Sequence, residues 1–177
     1  TALNGILTIQ ASQNLTVTDA LNFTKQNAGS NVTLQAGKDL TLNASVKTAG
    51  GDLLIQSAVS TDGVTAFKHF DATGSIAVNA ALGSTSTGNI SLSAGTGGIA
   101  LGADVTTDAT KTLTLTTTGG GVSQTAGVIT TGTLAGGAVG NVALGKSNTI
   151  ATVGSVGVTT GDFSLLNSGS LSVAGPV

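Results

Sequence analysis

The stretch from Asn31 to Ala44, NVTLQAGKDLTLNA, sets the terms for the whole chain. Val32, Leu34 and Ala36 alternate with Thr33 and Gln35; after Gly37-Lys38-Asp39 the pattern returns as Leu40, Leu42 and Ala44 alternating with Thr41 and Asn43. Strict alternation marks a strand with one dry face and one wet face. Val32 and Leu40 are eight residues apart with a three-residue interruption between the runs, so the unit is a strand, a corner and another strand. A chain that repeats such a unit winds into a coil.

The unit recurs as Leu7/Ile9, Leu15/Val17, Leu53/Ile55, Ile76/Val78, Ile90/Leu92, Ile99/Leu101, Leu113/Leu115, Val142/Leu144, Val156/Val158, Phe163/Leu165 and Leu171/Val173. Most pairs are introduced by Gly, Asn or Asp, as in GDLLI, GSIAV, GNISL, GGIAL, GNVAL and GSLSV. These read as corner residues that tolerate positive φ. Leu7 to Val32 and Leu15 to Leu40 are each 25 residues; Leu53 to Ile76, Ile76 to Ile99 and Ile90 to Leu113 are each 23; Val142 to Phe163 is 21. A period of 21 to 25 residues carrying two or three short strands predicts a solenoid of about eight coils.

Leucine-rich repeats share that period, but no window places apolar residues at i, i+3, i+4 and i+7 over helical length. An antiparallel sandwich also accommodates short strands at this spacing. Its core normally recruits large aromatics, and this chain has no Trp or Tyr, no Met or Cys, and four Phe. Leu, Ile, Val and Ala suit a narrow coil with stacked aliphatic rows, which predicts an all-β, parallel β-helix. Leu34, Leu42, Ile55, Val78, Leu92, Leu101 and Leu115 are the expected inward rows. Disorder is disfavoured by the regular alternation, a mean hydropathy of +0.38 and a single proline, Pro176.

Charged residues are 8% of the 177, all acids are Asp, all bases are Lys, and the net charge is −2. The exterior is therefore neutral and rich in hydroxyls and amides, without the electrostatic footprint of a nucleic-acid or anionic-membrane partner. Without Cys there is no disulfide framework. No apolar run approaches the roughly 18 residues of a membrane helix, and no signal peptide is evident at Thr1. Neither end carries an amphipathic helix as a cap, so residues 1–177 are expected to be one β-helix segment of a longer chain, or a subunit that stacks end to end.

The register slips twice. SAVSTDGVTAFKHFDATG, Ser57 to Gly74, is expected to hold a loop excursion at residues 60–71, with Phe67 and Phe70 tucked beneath it. The glycine-rich stretch from Thr116 to Asn141 still supplies Val122, Val128, Ile129 and Leu134 and is expected to continue the coil with irregular corners.

The repeated G-x-[IVL]-x-[LVI]-x-A units, and above all VTLQAGKDLTLNA, resemble the repeats of filamentous haemagglutinin-like exoproteins, the large adhesins that Gram-negative bacteria export by two-partner secretion. The resemblance runs over nearly the whole chain. It implies a right-handed parallel β-helix, secretion and a cell-surface location. The asparagine-proline motif of that family's secretion domain is absent, which implies the repeat body. NVALG at Asn141 to Gly145 is similar to head repeats of trimeric autotransporter adhesins.

Asp62, Lys68, His69 and Asp71 are the one cluster resembling an active site, since paired carboxylates serve as acid and base when they face one another. One His without Glu, Arg or Tyr nearby is a thin catalytic kit, and the segment reads as a solvated loop. Asp62-Gly63 is a corner of the kind that holds calcium, but the nine-residue glycine-aspartate repeat is missing. Zinc lacks ligands. Gly119-Gly120-Gly121 and Gly95 to Gly98 lack the lysine and helix of a phosphate loop and read as corners. Thr112, Thr114 and Thr116 form a T-x-T-x-T strand of the kind that orders water on ice-binding solenoids, but other coils lack the matching threonines.

The expectation is thus a structural and adhesive stalk with no catalytic, cofactor or metal site. Its expected partners are a host or neighbouring cell surface or extracellular matrix, with end-to-end self-association. A carbohydrate-active β-helix enzyme and an ice-binding solenoid are the competing readings.

Overall fold

A computed structural model describes residues 5–25, 29–60 and 70–177. Among them there is no helix; eighteen strands pair in parallel throughout and stack as a β-solenoid of about seven turns. The first coil is β1 (Leu7–Ala11), β2 (Leu15–Val17) and β3 (Leu21–Phe23), and the second is β4 (Val32–Ala36), β5 (Leu40–Leu42) and β6 (Val46–Thr48). The third is β7 (Leu53–Gln56), β8 (Ser75–Val78) and β9 (Leu82–Gly83), and the fourth β10 (Ile90–Ala94), β11 (Gly98–Leu101) and β12 (Val105–Thr106). Then follow β13 (Thr112–Thr117), β14 (Val122–Gln124), β15 (Ile129–Ala138), β16 (Val142–Val158), β17 (Phe163–Asn167) and β18 (Ser172–Val173). β15 turns one corner and β16 two without interruption, so the late coils have longer strands.

Each coil offers three faces. On the first, Leu7, Val32, Leu53, Ile90, Leu113, Leu134 and Val153 stand in one column. On the second, Leu15, Leu40, Ile76, Ile99, Val122, Val142 and Phe163 do the same. The rows expected to point inward do so: Leu34, Leu42, Ile55, Val78, Leu92, Leu101 and Leu115 are all at most 4% exposed. Like stacks on like because the parallel register repeats each coil's inward pattern directly above the last. At about 4.8 Å per coil, seven coils span roughly 34 Å.

One expected spacing is wrong. Leu53 does not stack on Ile76; it stacks on Ile90, 37 residues on, while Ile76 stands over Leu40. The third coil carries residues 57–74 between its first and second strands where the second coil carries 37–39. That excess belongs to the excursion, of which residues 61–69 lie outside the described residues. Its flanks are anchored to one corner below: Ala58 N donates to Lys38 O (3.1 Å), Val59 N to Ala36 O (3.0 Å) and Asp71 N to Gly37 O (2.8 Å). The coil therefore closes in register on both sides of the excursion. Phe70 is not tucked in; it is 45% exposed, because the aliphatic rows already close the interior behind it.

The corners also correct the sequence reading. Ala58 is the sole non-glycine at positive φ among the described residues, so Asn and Asp are not at corners for that freedom. Their carboxamide and carboxylate oxygens accept the corner N–H of the next coil instead. Asn31 Oδ1 accepts from Asp52 N (2.8 Å), Asp52 Oδ1 from Asn89 N (2.7 Å), and Asn89 Oδ1 from Thr112 N (3.0 Å). Asn14, Asp39, Asp104 and Asn141 do the same at other corners. Side-chain oxygens thus extend the ladder through corners, where a backbone donor would otherwise go unpaired.

The glycine-rich stretch continues the coil as expected, through β14 and β15. Its irregularity is concentrated at Gly136, where the register shifts after Leu134 and φ is +135°. A Cβ there would lie 1.9 Å from Leu115 O, so the bulge admits glycine alone.

Candidate functional site

Asp71 is the member of the sequence-predicted cluster that falls within the described residues; Asp62, Lys68 and His69 lie outside them. Asp71 opens the turn that leads back into β8. Its Oδ1 accepts from Thr73 N (2.9 Å) and Thr73 Oγ1 (2.7 Å), and Oδ2 lies 3.5 Å from Lys38 Nζ. The Thr73 backbone N–H, then the Thr73 hydroxyl, and more weakly Lys38, hold this carboxyl below the usual carboxylate range. Asp108 is held down in the same way by the Thr110 hydroxyl and N–H. Both are turn-capping aspartates. Among the described residues no group of three or more His, Cys, Asp or Glu side chains comes together to hold a metal ion.

The threonine strand is β13. The register places Thr114 beside Ser91 and Ala135, and Thr116 beside Ser93 and Gly137; Leu54 lies one coil beyond Ser91. The ranks through Thr114 and Thr116 are therefore broken within two coils on either side, whereas Thr112 does have matching hydroxyls, in a single column through Thr133, Thr152 and Ser172, contrary to the expectation from sequence. Both glycine clusters occupy corners between the first and second faces, and a Cβ at Gly120 or Gly121 would meet backbone of a neighbouring coil at 2.6 or 2.5 Å. They permit close approach of coils.

Two outer surfaces were not read from the sequence. On the first face Gln10, Gln35 and Gln56 stack and their amides join, Gln10 Nε2 to Gln35 Oε1 and Gln35 Nε2 to Gln56 Oε1, each at 2.6 Å. On the second face the outward positions of four consecutive coils are small: Ala77, Ala100, Ser123 and Ala143 form one column. Together with Ser75 and Asn141 they floor an open depression of about 560 Å³ that carries no charged residue. The signal was present as the alanine and serine at alternate positions of GSIAV, GGIAL and GNVAL, but it needed the register to become a surface. Such a shelf offers hydroxyls, one carboxamide and methyl groups to a neutral, flat or extended ligand.

No family model matches this chain, and neither a curated protein nor a solved structure is significantly similar to it. No helix among the described residues is long and apolar enough to cross a membrane.

Proposed function

We propose that this chain is a rigid stalk segment of a secreted filament on the surface of a Gram-negative bacterium, structural in its core and adhesive on its flanks. The observation that carries this reading is the continuity of coil-on-coil stacking, in which backbone ladders, aliphatic rows and corner Asn and Asp side chains all run along one axis. Stability in such an array accumulates by neighbour contacts, which suits a rod that must reach outward. The resemblance of the VTLQAGKDLTLNA unit to filamentous haemagglutinin-like repeats supports the surface location. The uncharged shelf on the second face is the surface we assign to contact with a host or neighbouring cell, or with extracellular matrix. Further parallel coils added along the same axis would extend the rod by the same stacking.

Surface plasmon resonance over immobilised matrix proteins, glycans and fixed cells tests the adhesive part. Saturable binding that A100K/S123K abolishes, without change in melting temperature, is the expected result. Binding indifferent to those substitutions would move the contact off the shelf, and no binding to any of these surfaces would reduce the protein to a scaffold. Light scattering and negative-stain microscopy test the stacking, which a strictly monomeric species at high concentration would refute.

A further inference from the structure

Three buried polar side chains at strand ends share one arrangement. Thr48 ends β6, Thr117 ends β13 and Gln124 ends β14, and each donates to the carbonyl three residues on: Thr48 Oγ1 to Gly51 O, Thr117 Oγ1 to Gly120 O and Gln124 Nε2 to Gly127 O. The corner brings that carbonyl back over the strand end. Ser57 departs from the arrangement. It follows β7, one step past the Gln35, Gln56 and Ser93 rung, in the column of Ala36, Ala94 and Thr117. It is 5% exposed, and among the described residues its Oγ is the one buried side-chain nitrogen or oxygen without a hydrogen-bond partner. The excursion is the reason: the residue three on is Ser60, which is exposed, where the chain departs instead of turning. Buried Ala36 and Ala94 show that a methyl fills this column; the hydroxyl adds a donor with nothing to meet.

The next residue is strained. Ala58 has φ of +55°, whereas every other described residue at positive φ is glycine. Its Cβ crowds the carbonyl that follows in this region. Two penalties thus fall on adjacent residues, held in place by Ser57 N to Ser93 O (3.0 Å), Ala58 N to Lys38 O and Val59 N to Ala36 O. The return flank is fastened separately. Asp71 N donates to Gly37 O, Gly74 N donates to Asp71 O (3.1 Å), and the Asp71 carboxylate is capped by Thr73 and paired with Lys38.

We propose that the outgoing root of the excursion, Ser57 to Val59, is a release point built into the third coil, which opens locally while the rest of the solenoid stays wound. On opening, the Ser57 hydroxyl meets water and Ala58 relaxes to negative φ. The three backbone bonds that break are exchanged for bonds to water. Removal of the unpaired hydroxyl and of the left-handed alanine each favours the open state by roughly tenfold. Opening frees the Ala36 and Lys38 carbonyls and gives slack on one side only, because Asp71 stays fastened. A pull on the excursion is therefore taken up at Ser57 to Val59 before it reaches the stacked rows. The inference rests on the coil geometry alone and is independent of the filament reading.

Native-state amide hydrogen exchange, followed by NMR on the full chain, tests it. Thr118 N, which donates to Ala94 O at the matching corner, is the internal reference. Protection at Val59 should be about a hundredfold lower than at Thr118, while Leu53 to Gln56 and Ile90 to Ala94 stay protected. S57A and A58G should each raise protection at Val59 about tenfold, and the double variant about a hundredfold, with Thr118 unchanged. Equal protection at Val59 and Thr118 in the parent would overturn the proposal. So would protection at Val59 that neither substitution moves, or a rise that Thr118 shares, since the effect would then be on global stability.

Discussion

Gln124 and Asn148 hold one another inside the solenoid by two reciprocal amide hydrogen bonds, Gln124 Nε2 to Asn148 Oδ1 at 2.8 Å and Asn148 Nδ2 to Gln124 Oε1 at 3.0 Å. Asn148 is fully buried and Gln124 is 8% exposed. Asn148 Oδ1 also accepts from Ile129 N, its Nδ2 donates to Leu144 O and Leu166 O, and Gln124 Oε1 accepts from Lys146 N. The pair thus fastens successive coils at the first of the two corners that β16 turns without a break. A buried amide network satisfied this fully fixes the path of the chain, whereas one left half-paired is costly.

Replacing Asn148 by Leu should therefore destabilise the fold by about 2–4 kcal/mol, because it takes one partner from each end of the Gln124 amide and leaves the Ile129 N–H without its acceptor. Urea melts of N148L, Q124L and the double variant check this. The double variant should be less unstable than the sum of the singles; strict additivity would mean that the two amides act separately.

The corner column predicts a smaller, local effect. Asp52→Ala removes the oxygen that accepts from Asn89 N, at a cost of about 1 kcal/mol, whereas Asp52→Asn keeps the acceptor and should be close to neutral. Hydrogen exchange at the Asn89 amide should accelerate in D52A and not in D52N. Equal exchange in both would remove the corner side chains from the account of stacking.

Leu42 lies between Val17 and Val78 in the second-face stack and is 1% exposed. Leu42→Asp buries an unpaired charge and should cost several kcal/mol, about the largest effect of a single substitution. An unchanged melting temperature would contradict the inward assignment of the row.

Shortening the excursion should be tolerated. Ala58, Val59 and Asp71 all anchor on the corner formed by Ala36, Gly37 and Lys38, so a glycine turn in place of residues 61–69 leaves those bonds in reach, and loop length itself costs little. The β-type circular dichroism should persist. Its loss, or loss of a polysaccharide-cleaving activity that H69A also removes, would give the segment a role that the stalk reading denies it.

Asp71 and Asp108 link stability to pH. Their folded pKa values lie below the ordinary carboxylate value, so the stability they contribute is fully present above about pH 4 and is lost as pH falls through the depressed values. Both are solvent-exposed, and the effect should be small. Melting temperature followed downward from pH 5 should fall less steeply in D71N/D108N than in the parent; identical slopes would mean that the Thr73 and Thr110 contacts do not persist in solution.

Alternation at Val32/Leu34 and Leu40/Leu42, the three-residue corner between them and an aliphatic core without large aromatics determined the class of fold, because a two-residue period with one dry face leaves little choice of backbone. The same periodicity could not tell which repeats stack. Leu53 and Ile76 are 23 residues apart and look like successive rungs, yet the extra residues in the third coil put them on different faces, and only closed coils reveal which columns form. The roles of Asn31, Asp52 and Asn89 were hidden for a related reason: an Asn beside a glycine reads the same whether it relaxes a turn or accepts a hydrogen bond from the next coil. The shelf along Ala77, Ala100, Ser123 and Ala143 and the Gln124–Asn148 pair both depend on contacts between residues about one coil apart. Sequence fixes such residues one at a time; winding decides which of them meet.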